Sequence, residues 1–181
     1  AAVGSGTPLN SLTITEARNV LIQAPITAGS ITQTAGTGST EIDAALTTSG
    51  PGGISLTGTQ FLFTAPVSLS THPASLRIDN RDLLSFSPSA TVTTDGPFNQ
   101  VGSGPVSLAS DITTVNDLIS FAGPVSVDGN LTLTTGTSNG TISFLNTVTG
   151  SNALTLTSGG AITFSGAINS LANLQTTSGA S

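Results

Sequence analysis

The densest group of ionisable residues in the sequence is Arg77, Asp79, Arg81 and Asp82. A pair of carboxylates such as Asp79 and Asp82 is what a glycosidase uses, one as general acid and the other as base or nucleophile. A solenoid polysaccharide lyase or hydrolase is therefore one hypothesis for this chain. We favour solvated ion pairs on an irregular loop, because such pairs are common at surfaces and stabilise a protein little. We accordingly predict that the chain is not an enzyme.

Metal ligands are the second kind of chemistry to consider. Asp111, Asp117 and Asp128 fall within one repeat of the chain, and their oxygens are of the kind that Ca²⁺ binds. The Asp-rich nonapeptide of calcium-binding solenoids is absent, and acids at turns explain these residues more simply. His72 is the only histidine and there is no cysteine, so a zinc site or a Ser–His nucleophile lacks support. We expect no metal and no cofactor.

The charge of the chain excludes several partners. Its 181 residues include three arginines, no lysine and nine acids, for a formal net charge of −6. Such a chain has no cationic surface for phosphates, so we expect no nucleic-acid binding and no attraction to anionic membranes. No apolar stretch approaches the roughly twenty residues of a membrane-spanning helix, so we expect no membrane insertion. Disorder is the remaining alternative for a chain rich in Gly, Ser and Thr, but apolar residues that alternate at period two argue against it.

The residues above are carried by a repeat of about twenty residues. It reads Leu12-Thr-Ile14, Val20-Leu-Ile22 and Ile26 near the start, and Leu154-Thr-Leu156, Ile162-Thr-Phe164 and Ile168 near the end. In both copies the first and second blocks begin eight residues apart (12 and 20, 154 and 162). The closing aliphatic residue follows six residues later (26 and 168), so we treat the two copies as equivalent. A fixed period of this length predicts a solenoid of stacked coils.

Period-two alternation within each block predicts three short strands per coil, with aliphatic and aromatic side chains inside and Ser and Thr outside. We predict an all-β fold, a parallel β-helix (β-solenoid) of about eight coils of roughly 20 residues. The strands of the first coil would be 12–14, 20–22 and 26–28, and those of the last 154–156, 162–164 and 168–171. Residues 1–181 would form a single continuous solenoid, with a loop insertion or distorted coil around 79–104.

The repeat also resembles a known family. LTITEARNVLIQAPITAGSI, ISFAGPVSVDGNLTLTT and NALTLTSGGAITFSGAINSLANL look like repeats of filamentous haemagglutinin-type exoproteins, which are bacterial adhesins of two-partner secretion, and like repeats of autotransporter passengers. The resemblance implies a right-handed parallel β-helix, secretion to the cell surface, and a structural or adhesive role as a stalk or polymerising fibre. The handedness rests on this analogy alone.

Outward threonines suggest a second function class, an ice- or carbohydrate-binding face. The predicted face consists of Thr13, Thr15, Thr32, Thr34, Thr132, Thr134, Thr155 and Thr157. Ser55 and Arg77 hold the corresponding positions in other coils and would break this array. The simpler explanation is the preference of threonine for exposed strand positions.

The two ends of the chain lack a polar capping segment, and Leu174 continues the strand phase near the end. Because solenoid ends expose unpaired strand edges, we predict that they meet another copy, end to end or laterally, or the rest of a longer polypeptide. Host or matrix glycans are the other partners that this hypothesis suggests.

Overall fold

The computed structural model describes residues 1–179, and these form an all-β solenoid of eight turns. The strands pair in parallel with strands of neighbouring coils, which lie about 21 residues away in sequence. The strands form three walls, which each coil visits in the order B, C, A. Among the described residues there is no helix with the length and apolar character that a bilayer crossing requires.

Wall A is a sheet of its own. Its strands are β2 (Val20–Ile22), β4 (Ser39–Ile42), β6 (Gln60–Phe63), β9 (Leu84–Phe86), β12 (Val106–Leu108), β15 (Val125–Val127), β18 (Val148–Gly150) and β21 (Ile168–Asn169).

Walls B and C are joined through β3 (Ile26–Gln33) and β5 (Leu46–Gly58), whose first residues lie on wall B and whose last residues lie on wall C. Wall B continues with β7 (Val67–Leu69), β10 (Val92–Thr94), β13 (Ile112–Thr114), β16 (Leu131–Thr134), β19 (Ala153–Ser158) and β22 (Asn173–Ser178). Wall C contains β1 (Leu12–Ile14), β8 (Leu76–Asn80), β11 (Phe98–Gln100), β14 (Ile119–Phe121), β17 (Ile142–Phe144) and β20 (Ile162–Phe164).

Alternation builds the core as predicted. In β14, Ile119 and Phe121 are fully buried while Ser120 between them faces outward, and other three-residue strands show the same pattern. Stacked coils place like on like, so that Ile119 pairs with Ile142 and Phe121 with Phe144. The result is one continuous apolar column along the axis.

A chain of phenylalanine rings runs through this column. Successive ring centroids from Phe63 to Phe86 lie 4.7 Å apart, and those from Phe121 to Phe144 and from Phe144 to Phe164 lie 5.3 and 5.1 Å apart. Phe98 connects the two groups, at 6.0 Å from Phe86 and 5.3 Å from Phe121.

The first and last copies of the repeat were predicted to be equivalent, and this prediction is wrong, because corresponding blocks lie on different walls. Leu12–Ile14 lies on wall C, whereas Leu154–Leu156 lies on wall B. Val20–Ile22 and Ile26 lie on walls A and B, whereas Ile162–Phe164 and Ile168 lie on walls C and A. The eight-residue step crosses the corner from C to A at the start, but the corner from B to C at the end. Corners of different length therefore produced the same spacing.

The predicted loop insertion or distorted coil around 79–104 is also corrected. This stretch contains β9, β10 and β11, each paired in parallel on both sides. The irregular spacing arises at a corner, because the connection from wall A to wall B is residues 87–91 in this stretch but residues 23–25 in the first coil. The corner is longer while the strands stay in register, and Ala90 is its residue that packs into the core.

A candidate threonine row on wall B

The outward position at the centre of wall B is held by a hydroxyl residue in every coil. In ladder order these residues, here called the threonine row, are Thr27, Thr47, Ser68, Thr93, Thr113, Thr134, Thr157 and Thr177. Neighbours are in direct register in a parallel ladder, which spaces them about 4.8 Å apart along the axis. The row carries no charged residue.

The local sequence explains the orientation of each residue. In β13, Ile112 and Thr114 are buried and Thr113 between them faces outward. Threonine suits this position because its branched Cβ restricts χ1 on the pleated surface. A row of such residues presents a methyl and a hydroxyl at regular intervals with little side-chain freedom to lose on binding.

The hydroxyls of the row differ from those that point inward on the same strands. Thr94 Oγ1 donates to the carbonyl of Ala74 at 2.8 Å, and Thr114 Oγ1 to that of Asp117 at 2.7 Å. Within residues 1–179, neither Thr93 nor Thr113 has a side-chain hydrogen bond to the protein. The hydroxyls of Thr94 and Thr114 therefore hold their corners together, whereas those of the row are available to solvent or to a ligand.

The eight threonines predicted to share one face divide between two walls. Thr13 pairs with Thr32 on wall C, and Thr15 and Thr34 follow at its corner. The residues Thr132, Thr134, Thr155 and Thr157 belong to wall B, where Thr132 pairs with Thr155 and Thr134 with Thr157. The prediction that all eight lie on one face is therefore wrong, because it assumed that the two ends of the chain are in phase.

When each strand is assigned to its wall, Ser55 and Arg77 no longer count against a threonine row. Ser55 and Arg77 continue the wall C row from Thr13 and Thr32, so they do not interrupt wall B. Six members of the row were not predicted from the sequence: Thr27, Thr47, Ser68, Thr93, Thr113 and Thr177. A signal was present, because Thr or Ser directly follows an aliphatic residue in Ile26-Thr27, Leu46-Thr47, Val67-Ser68, Val92-Thr93 and Ile112-Thr113.

The acidic candidates lie apart from this row or are engaged locally. Arg77 Nη2 lies 3.4 Å from Asp79 Oδ2, and both side chains are well exposed. Asp82 lies at the next corner, where its backbone carbonyl accepts a hydrogen bond from Asn80. No cavity is present on the described residues.

The three aspartates of the calcium hypothesis are held separately. Asp111 accepts a hydrogen bond from the Thr132 amide at 2.7 Å, and Asp128 accepts two at 2.6 Å from serine hydroxyls. Asp117 lies at another corner, 3.7 Å from His72 Nδ1. Residues 1–179 contain no group of three or more His, Cys, Asp or Glu side chains able to hold a metal ion.

Comparison with known proteins identified no relative of this chain. No protein-family model matches the chain, and no curated protein or solved structure matches it either. The structure itself defines the class, a parallel β-helical repeat protein.

Proposed function

We propose that this chain is a non-catalytic structural segment of a secreted bacterial surface fibre, acting as a rigid stalk or adhesive rod. The haemagglutinin-type resemblance of its repeats supports the location, and the stacking of its coils supports the mechanical role. We propose right-handed coiling on the same resemblance.

The observation that carries the proposal is the unbroken core column. Inward positions of successive coils are filled by buried aliphatic or aromatic residues, for example Leu84, Val106, Val125 and Val148 on wall A. Each such side chain contributes roughly 1.5–3 kcal/mol when it is buried. Because each coil contacts only its neighbours, stability accumulates along the rod and length is set by the number of coils.

The first test is location. Antibody raised against the purified chain should label intact source cells without permeabilisation, and the label should lie along surface fibres in electron micrographs. Label that appears only after permeabilisation would contradict the proposal.

The second test is a whole-coil deletion. Removal of residues 106–124 takes out one repeat in register and leaves Gly104-Pro105-Val125 in place of Gly104-Pro105-Val106. A stalk whose function lies in repetition should keep its fold, its surface display and its adhesion. As the control, removal of residues 106–115 takes out β12 and β13 but leaves β14, so that two wall C strands follow each other without a wall A or wall B strand between them, and it should disrupt folding. A folded whole-coil deletion without adhesion would indicate a discrete site instead.

A second candidate function is favoured by one observation, the threonine row with its free hydroxyls. We propose that this row binds an ordered surface, either ice or a carbohydrate with a regular repeat. Thermal hysteresis measures the first and a glycan array the second.

The decisive variants place charge on one wall at a time. Thr93→Lys with Thr113→Lys adds two long cations to the row and should remove either activity. Ser120→Lys with Ser143→Lys adds the same charge to the neighbouring outward positions of wall C and should leave it intact. Equal loss in both pairs, or no activity in the unaltered chain, would exclude the row as the binding surface.

A further inference from the structure

The first and last coils of the described residues expose strand edges of matching character. Ile168 and Leu174 at the last coil are 39% and 36% exposed. Phe164 is half-buried, whereas Phe144, its neighbour one coil earlier, is 1% exposed. No charged residue follows Asp128 in the sequence. Edge strands are usually protected from association by charge, proline or bulges, and this end has little such protection.

The opposite end of wall B is covered in an irregular way. Its first strand edge, Ile26–Ala28, meets two isolated bridges, Val3 with Ile26 and Leu9 with Ala28. Residues 4–8 between them form no ladder. The other end of wall B is β22, a continuous six-residue strand that pairs only with β19 among residues 1–179.

We propose that the chain assembles head to tail with a second copy of itself, and that β22 of one copy displaces residues 1–10 of the next. The ladder phase fixes the joint, with Thr176, Thr177 and Ser178 against Ile26, Thr27 and Ala28 of the next copy. On wall C, Ile162 and Phe164 meet Leu12 and Ile14, and on wall A, Ile168 meets Val20. This inference rests on the proposed function, in which the chain forms part of a fibre.

Displacement is required by the order of the walls. When wall C and wall A of two copies stack without a gap, β22 and residues 1–10 occupy the same layer of wall B. The first ten residues hold that layer through four backbone hydrogen bonds of 2.7–3.1 Å. In two of them the amides of Val3 and Leu9 donate to wall B, and in the other two their carbonyls accept from the amides of Thr27 and Gly29. A continuous parallel strand supplies the same number. Hydrogen bonding is therefore nearly unchanged by the exchange, while burial of Ile162, Phe164 and Ile168 favours the joint.

A disulfide tests the register of the joint. The chain has no cysteine, so Thr27→Cys combined with Thr177→Cys introduces one defined pair. Within one copy these positions are seven ladder steps apart, or about 34 Å at about 4.8 Å a step. A disulfide requires Cα atoms within about 7 Å, so only two copies can form it.

Under mild oxidation the double variant should give a ladder of covalent multimers on a non-reducing gel. Each single variant should go no further than an occasional dimer from chance collisions, because its one cysteine faces a threonine across the joint. A double variant that also stops at dimers would overturn the proposed joint.

Two deletions separate strand exchange from general stickiness. Removal of residues 1–10 frees the Ile26–Ala28 edge and should lower the concentration for half-assembly about tenfold, as about 1.4 kcal/mol of lost competition would. Removal of residues 173–181 takes away β22 and should abolish assembly. Simple aggregation predicts the reverse for the second deletion, since it uncovers Leu154 and Leu156. Light scattering measures assembly, and circular dichroism checks that each variant is folded. Surface labelling of cells reads the proposed function independently of these results.

Discussion

The early and late coils of the rod fill the same axis from different walls. In the coils of β6 and β9, the rings come from wall A as Phe63 and Phe86. In the coils of β14, β17 and β20, they come from wall C as Phe121, Phe144 and Phe164.

The other wall of each coil carries a smaller residue at its last inward position. In the coils of the early rings, this position of wall C holds Leu56 and Ile78. In two coils of the late rings, this position of wall A holds Val127 and Gly150. Because an interior must be filled at nearly constant density, the wall that provides a ring can change from coil to coil when the remaining volume is filled by other side chains. The fold thus constrains the volume of a coil more strongly than it constrains any single position.

The coil between the two regions shows how the exchange is made. Phe98 lies on the other inward row of wall C and bridges the two groups of rings. Gln100 takes the position that Phe121 takes one coil later, and it is buried. Its side chain donates to Asn80 Oδ1 at 2.7 Å and accepts from the amides of Ala122 and Gly123 at 2.8 and 2.9 Å.

The largest effect should come from removing one ring in either region. We expect Phe86→Ala and Phe144→Ala each to lower the free energy of unfolding by about 3–5 kcal/mol, through lost burial and the cavity left behind. Urea denaturation followed by circular dichroism measures both. Phe164→Ala is the matched control in the half-buried last coil and should cost clearly less. A loss in one region but not in the other would show that the two walls do not fill the axis equivalently.

Moving a ring within one coil tests the compensation directly. Phe121→Val should cost about 2–4 kcal/mol by cavity formation, and Val127→Phe about 1–3 kcal/mol by overpacking. The double variant keeps the total volume and transfers the ring from wall C to wall A, as in the early coils. We expect it to recover most of the combined loss, which a double-mutant cycle measures as a coupling energy. Simple additivity of the two losses would refute an exchangeable ring.

The next effect concerns the coil at the transition. We expect Gln100→Leu to cost about 2–3 kcal/mol even though leucine is apolar, because the amide of Gly123 and the carbonyl of Gly102 lose their bonded partner in the interior. Phe121→Leu has no such polar partners and tests the loss of volume alone. Stability unchanged by Gln100→Leu would mean that these backbone groups find other partners.

Much of this fold could be predicted from the sequence. Alternation around Leu131, Ile142 and Leu154 locates strands, and the recurrence of such blocks predicts parallel stacking. The assignment of strands to walls could not be predicted in the same way. Leu84-Ser-Phe86 and Ile119-Ser-Phe121 read alike but lie on walls A and C. A ring satisfies the core from either wall, so the motif carries no information about which wall it occupies.

The candidate site was affected by the same ambiguity. Thr132 and Thr155 are correctly predicted as neighbours, because adjacent coils share a local phase. Linking them to Thr13 required counting residues through every corner between, and corner lengths vary. Whether any of these threonines binds a ligand stays a prediction, as do the cell-surface location and the absence of catalysis.

The smallest effect compares two inward hydroxyls of wall B, one in an early coil and one in the coil at the transition. Thr48 and Thr94 occupy the same inward row, each two residues after an aliphatic and each paired with Leu69. Thr94 Oγ1 donates to Ala74 O and accepts from the Gly96 amide at 3.2 Å. Thr48 Oγ1 is the one buried side-chain polar atom among the described residues that has no partner.

Thr48→Val should therefore raise the free energy of unfolding by about 1 kcal/mol, because it removes a buried hydroxyl that makes no hydrogen bond. Thr94→Val changes the same atoms but deletes two hydrogen bonds, and should lower the free energy by about 1–2 kcal/mol. Denaturation midpoints of the two variants, measured side by side, give opposite signs if the corner carbonyls determine what an inward hydroxyl contributes. Equal signs would mean that burial alone governs this row, in the early coil and in the transition coil alike.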